Sequence, residues 1–199
     1  ELEPAPPEAP PPPPKQRARP AKRRGPAYKL DLAIDLPVLA IAGVVSSGWL
    51  LKGSLAGPHC APQCDRGDVP AFDRWAAGTY DAGWRTASDI GVAAVLGASA
   101  VTLLAAEGPS HALNDAVVVG QSVLLANTLA IVSMMGVRRP RPFAYGTEAP
   151  LEARTDGDAS LSFFSGHAAG SVAAAVSMFI TFRRLNRPAL AYTSLGLRS

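Results

Sequence analysis

The sequence lacks charge over long stretches. Four runs, 36–51, 90–106, 116–137 and 161–182, contain no Asp, Glu, Lys or Arg, and a single histidine, His167, stands inside the last of them. Within these runs Val, Ile, Leu and Ala occupy every helical face, which speaks against ordinary amphipathic helices and fits helices that are apolar all round. The first 30 residues lack the opposite, a core: they hold 10 of the 19 prolines and seven Lys or Arg against three Glu. Such a tract buries too little to offset its own chain entropy, so residues 1–30 are expected to be a disordered Pro/Lys/Arg-rich arm. No aromatic residue interleaves its basic positions before Tyr28, and no basic stripe continues beyond it, which argues against nucleic acid as a partner. The arm reads instead as a juxtamembrane basic segment beside anionic headgroups, or as a solvated spacer. It contains no apolar signal core, and its opening on Glu1 leads us to expect that a tag or signal peptide has been removed. Cysteine is scarce as well. The two present, Cys60 and Cys64, share one loop, "PHCAPQCDRG".

What is present is a succession of helix-length oily segments, with a short fifth over 189–197. Crossing a bilayer takes about 20 apolar residues; the third run meets this alone, and the others do so if flanking polar residues lie in the headgroup region. Residues 31–199 are therefore expected to form an all-α, multi-helix transmembrane bundle. The basic arm and "RRLNRP" after the fourth run fall on one side if every run crosses once, and the positive-inside rule makes that side cytoplasmic. Loops 52–89 and 138–160 then share the outer side. Two cysteines confined to an outer loop point to a local Cys60–Cys64 disulfide in an oxidising compartment. A zinc site using His59, Cys60, Cys64 and Asp65 is the less favoured alternative, since the spacing matches no standard zinc pattern.

Two polar features interrupt the oily runs, "GVRRPRPF" after the third and "SFFSGHA" in the fourth. Under the topology above, Arg138, Arg139 and Arg141 emerge at the outer surface, where Ser165, Gly166 and His167 open the next helix. A helix N-terminus offers unpaired N–H groups and a positive dipole end. Gly166 lets an oxygen approach that backbone closely, and arginine adds a planar, permanently charged fork. His167 has the chemistry to protonate a leaving oxygen. Singly, Ser165 is an ordinary N-cap and the arginines are interfacial anchors. Together on one face, they suggest an oxyanion site.

The paired segments resemble the first two motifs of the type 2 phosphatidic acid phosphatase (PAP2) and vanadium haloperoxidase superfamily, in its membrane lipid phosphatase branch. The first family motif is a lysine, six intervening residues, then Arg-Pro; the second is Ser-Gly-His, usually preceded by proline. The resemblance implies that Arg141, followed by Pro142, binds phosphate, that Ser165 and Gly166 contact it, and that His167 is the general acid. It also implies a phosphohistidine formed by a third-motif histidine, and no metal. This sequence departs at three points. The lysine position holds Met134, with Arg138 or Arg139 as substitutes; the proline position holds Phe164; and the third motif is expected beyond Ser199. Neither His59 nor His111 is expected to supply the nucleophile, because His111 falls on the opposite side and nothing aims His59 at His167. The implied activity is hydrolysis of a lipid phosphomonoester or diphosphate, of phosphatidate, phosphatidylglycerol phosphate or polyprenyl diphosphate type. The implied place is a bacterial inner membrane, with the site on the periplasmic face. Three alternatives stand beside it: a non-catalytic phospholipid binder, a haloperoxidase holding vanadate as its only cofactor, and a soluble acid phosphatase.

Overall fold

A computed structural model of the chain describes residues 25–48, 50 and 54–196. Residues 1–24 of the expected arm, the end of the first run and Ser199 lie outside the described residues. Six α-helices follow one another: α1 Leu32–Ser47, α2 Ala82–Glu107, α3 Pro109–Val137, α4 Leu151–Thr155, α5 Gly166–Arg184 and α6 Pro188–Ser194. Short 3-10 turns stand in the connections, and no strand occurs among the described residues. The all-α expectation holds.

Helix starts follow local chemistry. α1 begins at Leu32, not at 36, because the Asp31 carboxylate accepts from Ala33 N while Asp31 N donates to Asp35, a reciprocal cap. α2 begins at Ala82, where Asp81 accepts from Gly83 N and Trp84 N. It therefore extends eight residues upstream of the oily run and brings Arg85, Ser88 and Asp89 into the helix. A single residue, Gly108 at φ 75°, joins α2 to α3, a left-handed turn suited to glycine. Pro109 then takes the first helical position, where its missing N–H costs nothing.

α2 has 26 residues and α3 has 29, about 39 and 44 Å at a rise of about 1.5 Å per residue. Both are long and apolar enough to cross a membrane. Their apolar windows are only 6% and 28% buried, unlike the core helices of a soluble domain. Ile90, Val101 and Leu104 of α2 and Leu129 and Val132 of α3 face outward. Four spans were expected; α1, with 16 residues, is shorter, and α5, with 19, is diluted by its polar start and by Arg183 and Arg184.

α3 is the central helix, packed against α1, α2 and α5. At one end a core of Leu103, Ala112, Val119, Met178, Phe182 and Ala191 ties α2, α3, α5 and α6 together. There the buried Asp115 carboxylate accepts from Ala27 N and Tyr28 N at 2.8 and 2.9 Å, and Arg184 stacks on the Tyr28 ring. The last residues of the 1–30 tract are thus held on the bundle. Midway, Gln121 of α3 donates to Asp35 of α1, and Thr128 to Ala42 O. At the other end the two long connections pack onto each other around Cys64, Val69, Ala77, Ala144 and Tyr145. Cys60 and Cys64 form the expected disulfide. The connections meet through glycine: a Cβ on Gly146 would lie 2.6 Å from Gly78 O.

Candidate functional site

α3 ends at Val137 with Arg138 in the left-handed region, φ 50°, its N–H closing onto Met134 O. The following residues run back beside the segment that leads into α5. Arg141 N donates to Ala159 O at 2.7 Å and Ser162 N to Arg139 O at 3.0 Å. Leu161, 2% exposed, inserts under Ala130, Ile131 and Met134. These contacts draw the two polar features to one place although 18 residues separate them.

The turn into α5 occurs at Phe164, with φ 67°. A non-glycine residue there stores about 1–3 kcal/mol of strain. Proline, locked near −65°, cannot occupy this position in this backbone, so the Phe164 departure and the turn are consistent with each other. Ser165 then caps α5, its hydroxyl accepting from Ala168 N, as the ordinary N-cap reading expects. Gly166 and Gly170 admit Asn127 of α3; a Cβ at either would lie 3.2–3.3 Å from the Asn127 amide.

The result is a cavity of about 470 Å³ lined by Arg141, Ser165, Gly166 and His167 together with Leu124, Asn127, Ile131 and Met134; Ser165 and His167 are exposed and Ile131 and Met134 buried, which sets its mouth and its depth. Four of the sequence-predicted residues meet here. Arg141 is held from behind: its Nε donates to Asp158 O at 3.0 Å and its Nη2 to Asp158 Oδ1 at 2.9 Å. This fixes the plane of the fork and offsets part of its charge.

Arg138 and Arg139 do not line this cavity. Arg138 donates to Ala56 O and Ser160 Oγ, bracing the two connections. Arg139 pairs with Asp73 and borders a separate, smaller cavity. Their expected role as substitutes for a lysine at 134 has no geometric support, because both are engaged with the packed connections, Arg138 with Ala56 O and Ser160 Oγ and Arg139 with Asp73. Met134 itself is buried in the cavity lining. His111 sits in the first turn of α3, about 35 Å along the helix from Met134 at about 1.5 Å per residue, and exposed His59 lines no described cavity.

Two residues escaped the sequence reading. His167 Nδ1 lies 3.0 Å from Ser88 Oγ, and His167 Nε2 lies 3.2 Å from Asp89 Oδ1. An ionisable residue just inside a membrane-length helix is a functional candidate by default; that signal was available at Asp89.

Among the described residues the fold is an all-helical bundle, and one cavity brings together an arginine, the start of α5 and a histidine. The PAP2 superfamily model matches residues 115–197, the stretch that carries both polar features. No curated protein and no solved structure matches.

Proposed function

We propose that this protein is a membrane phosphatase that removes phosphate from a lipid phosphomonoester or diphosphate at the outer face. The observation carrying the proposal is the shared cavity: Arg141, Ser165, Gly166 and His167 at its mouth over an apolar depth of Leu124, Ile131 and Met134. A phosphate at the mouth meets the guanidinium fork and the first-turn N–H groups of α5. An acyl or prenyl chain fits the apolar depth, and the outward apolar faces of α2 and α3 fit a bilayer. His167 gives its proton to the oxygen that leaves phosphorus. The superfamily's chemistry supplies phosphorus with a histidine nucleophile; residues 1–199 contain, besides His167, only His59 and His111, and neither borders the cavity.

A second reading is supported by Met134. A methionine where the superfamily places a cationic phosphate ligand weakens the cradle, as in a phospholipid-binding member without turnover. One measurement separates the two. Phosphate release from lipid phosphates by the intact protein in detergent, with His167→Ala alongside, is expected to fall by about 10²- to 10⁴-fold, the usual contribution of a general acid. Turnover unchanged in His167→Ala rules out the assignment, and no release from either protein favours the binder.

A further inference from the structure

Both ring nitrogens of His167 are engaged by α2, not by the two segments that build the cavity mouth: Ser88 on Nδ1 and Asp89 on Nε2. Asp89 lies outside the matched stretch 115–197, and neither motif-bearing segment contains it. We propose that Asp89 is a positioning residue for His167, fixing its tautomer and ring orientation so that Nδ1 is the nitrogen that exchanges a proton with the leaving oxygen. This rests on the reading of His167 as general acid.

An ionised carboxylate only accepts hydrogen bonds, so the nitrogen facing Asp89 carries its proton in either charge state of the ring. That leaves Nδ1 for transfer. The Ser88 hydroxyl accepts from Nδ1–H when the ring is charged and donates to Nδ1 when it is neutral, so it serves both states. The step balances. The P–O bond to the leaving group breaks, its electron pair stays on oxygen, and that oxygen, replacing Ser88 Oγ as the acceptor at Nδ1, takes the Nδ1 proton. The incoming nucleophile, a histidine nitrogen or a water oxygen, supplies the new pair to phosphorus. His167 ends neutral, with Nε2–H kept on the side of Asp89 Oδ1, 3.2 Å away. The side chains of His167 and Asp89 are 49% and 60% exposed, and exposed pairs contribute little stability. The consequence of the contact is therefore orientation. Arg85 stands one turn before Asp89 on α2, and Arg141, paired with Asp158, lines the same cavity as His167.

Asp89→Asn preserves size and, at an exposed position, leaves folding intact. In the intact protein we expect phosphate release by Asp89→Asn to lose about tenfold or more in kcat with KM within about twofold, and Asp89→Glu to recover most of it. The ¹⁵N signals of the His167 ring should move from a single Nε2–H form toward a mixture of tautomers in Asp89→Asn. Ring signals that stay unchanged overturn the contact; signals that change without loss of kcat overturn the positioning role. Turnover lost in His167→Ala but kept in Asp89→Asn defeats this inference alone, whereas turnover kept in both defeats the general-acid reading as well.

Discussion

Arg141→Ala removes the guanidinium from the cavity mouth and also takes a partner from Asp158, so its two consequences need separating. Arg141 makes two contacts with Asp158, at 3.0 and 2.9 Å, which leaves further N–H groups of the fork for an anion. A charge-assisted hydrogen bond is worth about 1.5–3 kcal/mol, and each ~1.4 kcal/mol is tenfold. Losing one such bond to phosphate lowers kcat/KM by about 10- to 100-fold on these figures. The Asp158 side chain, 12% exposed, then loses its guanidinium contact, which lowers stability. Arg141→Ala with Asp158→Asn relieves that second cost only. Thermal unfolding in detergent and phosphate release, measured on wild type, both single variants and the double variant, form a cycle. The expected result is a melting temperature largely restored in the double variant with kcat/KM still depressed. A kcat/KM for Arg141→Ala within about twofold of wild type, or full recovery of kcat/KM in the double variant, refutes a direct contact between Arg141 and the anion.

Gly146→Ala drives a Cβ to 2.6 Å from Gly78 O and 2.7 Å from Gly78 Cα, backbone atoms that cannot rotate away. A cost of about 1–3 kcal/mol or more is expected, read as a lower melting temperature together with lower kcat/KM because Arg141 follows the same connection; an unchanged melting temperature counts against the packed cap. Met134→Lys puts an ammonium into the cavity lining and should strengthen inhibition by inorganic phosphate by about tenfold, the worth of ~1.4 kcal/mol. A protein that folds yet binds phosphate no more tightly shows that position 134 does not face the anion.

The residues at the ends of oily runs were legible in the sequence. Arg141 and Ser165 to His167 each stand where an apolar stretch meets a polar loop, and the topology of those stretches alone brings them to one side. The start of α2 was less legible, because Arg85, Ser88 and Asp89 interrupt the apolarity that marked the run from Ile90, while the cap that starts the helix is Asp81. Hidden altogether was the pairing of Asp89 with His167. It spans 78 positions and depends on how α2 crosses α5, which no local pattern encodes. The divergence of three neighbouring arginines was hidden for a similar reason. Arg138, Arg139 and Arg141 look equivalent along the chain, yet of the three only Arg141 lines the cavity, the other two being engaged with the packed connections.

The grip of Asp115 on residues 27 and 28 falls on amide hydrogens and ignores side-chain identity there. For that grip alone, the one residue excluded at either position is the one that has no such hydrogen. Ten prolines precede this point and the last of them is Pro26, so the tract gives way at the first residue from which a donor is required. The border between arm and bundle is thereby written in the chain as the place where the dense run of imino acids stops, one step ahead of the carboxylate that needs amide hydrogens.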